Sequence, residues 1–147
     1  MARVVRPMIK DADGLPLVGT KGRCLGVRPI GQNADVDLRP PGDVNGDVIS
    51  NDKGLSVSAD WRRLLGHLIP EHLDDGFNGA LGKNMEVFVH GNGTGPFAAG
   101  PVATGLEMIL KKGSVDTGVI RPVATVSLAQ YQADLQATRP NWAVDES

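Results

Sequence analysis

Apolar and polar residues alternate with a period of two in several short stretches of this chain, and a helical period appears only near the C-terminus. Met85-Glu86-Val87-Phe88-Val89 alternates cleanly and predicts a strand. Residues 3–9 alternate more loosely around Val and Met and predict a first strand, with Pro7 placing it at an edge or a bulge. Short extended runs follow at residues 24–28, 54–58, 106–110 and 119–123. Asp11-Ala12-Asp13-Gly14 reads as a turn, and Asn45-Gly46 between Val44 and Val48 is a type I′ hairpin signal. Asp60 stands at an N-cap position ahead of Trp61-Arg62-Arg63-Leu64-Leu65, and Gly66 and Pro70 keep that helical stretch short. In Ser127-Leu128-Ala129-Gln130, Ser127 and Gln130 form a capping box. Leu128, Tyr131 and Leu135 then share one helical face, and Pro140 requires an end near Thr138. Residues 30–46, 74–84 and 91–101 read as loops. Several short strands with one or two helices predict a single α+β domain over residues 1–147.

Composition narrows the class. Nineteen Gly and ten Pro in 147 residues make about a fifth of the chain, against roughly 12% in average proteins. That abundance of turn formers disfavours a helical bundle. The net charge of −2 contains no long run of one sign, which argues against a nucleic acid held by phosphate neutralisation. No apolar stretch approaches the roughly 20 residues of a membrane span, so no membrane partner is expected. Met1-Ala2-Arg3-Val4-Val5-Arg6 lacks the pattern of a signal peptide, and Cys24 is the only cysteine. A cytoplasmic setting follows as the expectation, with export without a leader left open.

Several candidate sites fall on their chemistry. Asp43, Asn45 and Asp47 have the alternate spacing of a calcium loop, but its sixth and twelfth positions hold Val48 and Gly54 instead of Gly and Glu. His67 and His72 lie five apart across Pro70, unlike the His spacings of zinc sites, so no metal is expected. Gly91-Asn92-Gly93-Thr94-Gly95-Pro96 could let backbone N–H groups approach an anion, but lacks the Lys-Ser/Thr ending of a phosphate loop. No Gly-x-Ser-x-Gly elbow marks a serine hydrolase. The segment from Gly54 to Trp61 is more informative. Ser56 and Ser58 alternate with Leu55 and Val57, so both hydroxyls emerge on one face of a strand. Arg6 on an early strand could add a cation with bidentate reach. The plain alternative is a solvent-facing serine pair and a surface arginine.

The phrases Val5-Arg6-Pro7 and Leu55-Ser56-Val57-Ser58 resemble the first two parts of the Arg–Ser–Glu pattern of ADP-ribosyltransferases. Gly54-Leu55-Ser56-Val57, the basic turn from Arg62 to Pro70 and the C-terminal helix resemble the order found in ADP-ribosyltransferase-like toxins delivered by type VI secretion. The matches are short and scattered over most of the chain. The resemblance implies a split β-sheet with short helices, and a toxin that uses NAD as substrate in a target cell. An unknown macromolecule would be modified, and an immunity protein would restrain the toxin. It implies NAD contacts from Arg6, Ser56, Ser58 and His67, and a catalytic role for Ser56 with Glu86, whose carboxylate would stabilise charge as nicotinamide leaves. The chain departs from the pattern in one respect: neither Glu86 nor Glu107 stands in a Glu-x-Glu or Gln-x-Glu phrase. Two alternatives remain, a non-catalytic protein-binding module of the same fold and a relative that handles tRNA ends.

Overall fold

A computed structural model describes residues 3–19, 23–27, 47–48, 54–65, 68–70, 72–73, 84–91 and 96–146. The predicted Asn45-Gly46 hairpin turn, Asp43 and Asn45 of the calcium-like series and most of the Gly91-to-Pro96 loop lie outside them, as does His67. The strands are β1 (Val4–Ile9), β2 (Asp47–Val48), β3 (Leu55–Ser58), β4 (Met85–His90) and β5 (Gly100–Ala103), followed by β6 (Leu106–Leu110), β7 (Thr117–Pro122), β8 (Val126–Ser127) and β9 (Trp142–Val144). One α-helix, α1, spans Leu128–Ala137. Among the described residues seven strands form an antiparallel sheet in the order β5-β6-β7-β3-β1-β4-β9, and β2 pairs with β8 apart from it. The described residues are therefore mixed α and β, with strands mostly antiparallel and one short α-helix.

Alternation along these strands sorts the core. Val4, Met8, Leu55, Val57, Phe88, Leu106, Met108 and Ile120 are buried together on one side, where Tyr131 and Leu135 of α1 cover them. Each fully buried side chain of this size contributes roughly 1.5–3 kcal/mol relative to exposure. A smaller cluster on the other side joins Val5 and Val87 to Trp61 and Ile69. Both N-caps are present, but the capping box is half formed, because the Gln130 amide donates to Asp134 Oδ1 at 2.8 Å rather than its side chain meeting the Ser127 N–H. Ser127 Oγ accepts from the Gln130 N–H at 3.1 Å, and α1 ends at Thr138. Asp60 Oδ1 accepts from the Arg62 N–H at 2.9 Å, but only a single 3-10 turn follows, Trp61–Arg63. Gly14 closes the turn begun at Asp11, donating its N–H to the Asp11 carbonyl at 3.0 Å. Arg139 ties that turn down through both Asp13 carboxylate oxygens, and the ion pair holds the Asp13 carboxyl below its usual range.

Pro7 is not at an edge. β1 is an inner strand, paired with β4 from Val4↔His90 to Ile9↔Met85. A proline is tolerated there because β1 meets β3 at one register position only, Val5↔Ser58. Residues 24–27 form no named strand; a single bridge joins Leu25 to Val18. Two phrases distant in sequence meet in this core. Tyr131 Oη, fully buried, donates to the Ile120 carbonyl and accepts from the Leu55 N–H at 3.1 Å, bridging the last pair of β3 and β7. The next side chain, Gln132, pairs its amide with the Val27 backbone through bonds of 3.2 and 3.0 Å.

Candidate functional site

Ser56 and Ser58 sit half-buried on β3, as alternation predicts, and both line a cavity of about 270 Å³. Its opposite wall is made by Val5, Arg6 and Pro7 of β1. Consecutive residues line it on both strands, although successive side chains of a strand face opposite ways. The cavity therefore reaches into the seam between β1 and β3. Leu64, Leu65 and Leu68 supply an apolar side, delivered by the turn that Asp60 starts. Cationic groups come from Arg23, from Arg63 in the same turn, and from Lys111 just past β6. The Lys111 N–H bonds to the Thr117 carbonyl at 3.0 Å, which puts this residue in the same cross-strand row as Ser58, with Thr117 of β7 between them. No carboxylate lines the cavity among the described residues. Arg63 is itself ion-paired, its Nε lying 3.3 Å from Asp116 Oδ2.

Such a lining favours an anion. Guanidinium and ammonium groups donate only, and the two serine hydroxyls can donate as well. The volume lies at the small end for ligand sites, enough for a phosphoryl group and part of its nucleoside, with the remainder of a dinucleotide outside.

Arg6 is placed differently from Ser56 and Ser58. Alternation puts it on the same side as Val4 and Met8, and it is 3% exposed. Its Nη1 donates to the Ser56 carbonyl at 2.9 Å and its Nη2 to the Cys24 carbonyl at 3.3 Å. It forms part of the cavity wall while its guanidinium binds the backbone. Glu86 is not brought to this site. It lies on β4 opposite Met8, with β1 between it and β3. Its Oε2 is buried and accepts no hydrogen bond among the described residues; His72 Nε2 is 3.7 Å away. Glu107 pairs with Arg121 at 2.9 Å on β6 and β7. His67 lies outside the described residues, between Leu65 and Leu68 of the cavity wall.

Arg23, Arg63 and Lys111 were not singled out by the sequence. Arg63 carried a signal, since it follows the serine strand by one capped turn. Lys111 carried less, as the first residue after an alternating run. Arg23 carried none.

Among the described residues no group of three or more His, Cys, Asp or Glu side chains is gathered as for a metal. No described helix is long and apolar enough to cross a membrane. Comparison with protein-family models, with curated proteins and with solved structures finds no match.

Proposed function

We propose that this chain is an ADP-ribosyltransferase-like toxin domain, acting in a target cell's cytoplasm under the restraint of an immunity protein, and that it takes the anionic part of NAD in the cavity beside β3. One observation carries the reading. Arg23, Arg63 and Lys111, the hydroxyl-bearing Ser56 and Ser58, and the apolar Leu64, Leu65 and Leu68 line a single cavity, a set suited to phosphates, a ribose and a nicotinamide ring. Arg23, Arg63 and Lys111 take the phosphate role that the family pattern gives to Arg6, while Ser56 and Ser58 keep theirs. The single-position pairing of β1 with β3 supports a split sheet of the ADP-ribosyltransferase kind.

The test is calorimetric titration of NAD into purified protein, with Arg63→Ala/Lys111→Ala beside it. Saturable binding lost in the double variant is expected; a folded wild-type protein with no saturable signal overturns the reading. Induced expression in bacteria adds the biological arm, with growth arrest relieved by the same double variant. The placement of Glu86 beyond β1, away from this cavity, favours a second reading, a module of this fold that binds without transfer. NAD binding with no release of nicotinamide is its signature. Glu86 reaches this reaction only if a larger ligand extends past β1, and Glu86→Gln with full nicotinamide release removes it as the catalytic acid.

A further inference from the structure

We infer that Pro7 and Arg6 act as a matched pair that keeps the sheet open at the cavity, which makes Arg6 a positioning residue for Ser56 and Ser58. The inference rests on the anion-site reading above for its binding readout only. The Ile9 N–H donates to the Arg23 carbonyl and the Ile9 carbonyl accepts from the Leu17 N–H, both at 2.8 Å and both away from β4. The Lys10 N–H points the other way, to the Asn84 carbonyl at the start of β4. Backbone groups alternate sides along a strand, so those of Val5 and Pro7 face β3, as those of Ile9 face away from β4.

Val5 faces Ser58, and the antiparallel register puts Ser56 opposite Pro7 two residues on. An ordinary residue at position 7 would donate to the Ser56 carbonyl and extend the ladder. Proline has no N–H to give. The Ser56 carbonyl is instead met by Arg6 Nη1 at 2.9 Å, while Nη2 of the same guanidinium reaches the Cys24 carbonyl. The planar fork suits this task, because one side chain must serve two carbonyls on different segments. A continued ladder would hold the strands about 4.8 Å apart at this point. The cavity, walled by residues 5–7 and 56–58, occupies the place where that continuation is missing.

The experiment is a double-mutant cycle of wild type, Arg6→Ala, Pro7→Ala and the double variant, read by thermal unfolding and by calorimetry with inorganic pyrophosphate. Arg6→Ala alone should lower Tm by about 6–10 °C, since the bonds lost are charge-assisted. In the Pro7→Ala background the same change should cost less than half as much, because an amide at position 7 then serves the Ser56 carbonyl. Pro7→Ala alone should bind pyrophosphate at least roughly fivefold more weakly without a matching fall in Tm. A merely structural role for the pair would not separate affinity from stability in this way. Tm losses that add across the cycle, or wild-type pyrophosphate affinity in Pro7→Ala, overturn the inference. Should Arg6→Ala not fold, Arg6→Lys, which keeps the charge and loses the fork, takes its place in the cycle. A wild-type protein that binds no pyrophosphate counts against the functional reading, and the stability cycle then decides the pairing by itself.

Discussion

Replacing Tyr131 by Phe isolates one oxygen at the joint between α1 and the sheet. The ring is fully buried and keeps its packing in the variant. Two backbone groups lose their partner, the Leu55 N–H at 3.1 Å and the Ile120 carbonyl. Each buried group left unsatisfied costs about 1–3 kcal/mol, and partial relaxation of the strands offsets some of it, so the expected loss is about 2–4 kcal/mol. Against a total stability of about 5–15 kcal/mol that is a large share. It corresponds to a fall in Tm of about 6–14 °C for a domain of this size. Urea unfolding measures it directly: the midpoint should drop while the slope stays unchanged, because the surface exposed on unfolding is the same. A midpoint shift worth under about 0.5 kcal/mol would show that Leu55 and Ile120 bond to each other or to water once the hydroxyl is gone, and that it does not bridge them.

Three further outcomes follow from the same coordinates. Gly54→Ala should destabilise by about 2–3 kcal/mol or more in the same unfolding assay, because a Cβ there would lie 2.4 Å from the Ile120 carbonyl oxygen and 2.7 Å from Tyr131 Oη. His90 is 1% exposed, neither ring nitrogen has a hydrogen-bond partner among the described residues, and burial pushes its pKa below the ordinary 6.5. The unfolded chain then takes up the proton first, so stability is complete above 6.5 and falls with pH below it, by up to about 1.4 kcal/mol per pH unit. His90→Phe should flatten that slope below pH 6.5, and a slope equal to wild type would refute the assignment. Lys111→Ala should weaken pyrophosphate binding by about fivefold to tenfold at low salt and by less at high salt, as a screened cation would.

The strands with clean alternation were legible, and so was the helix. β6 occupies residues 106–110 as predicted, and α1 starts at its Ser127 cap. β5 was hidden in what reads as a glycine-rich loop, because Pro101 and a register shift beside it break the pattern that marks a strand. β9 is three residues long and owes its form to pairing with Phe88, Val89 and His90, which no local signal announces. The site was legible in the same uneven way. Alternation is a local property, and it put Ser56 and Ser58 on one face. The position of Arg6 relative to them depends on the Val5↔Ser58 register, a tertiary fact. The cations of the cavity arrive from three separate segments, so only folding brings them into one list of neighbours.

The order of the strands also bears on when the sheet can form. β1 precedes both of its partners, which follow about 50 and 80 residues later, at Ser58 and at Met85–His90. β9 comes last, and the Arg3–Asp145 contact spans 142 positions. A nascent chain therefore holds β1, an inner strand, without either sheet partner until β3 has been made. Closing such distant pairs carries a chain-entropy cost before any contact rewards it, which slows folding and lengthens exposure to aggregation. The apolar Val4 and Val5 wait beside Arg3 and Arg6 during that interval, and flanking charges of this kind discourage premature association.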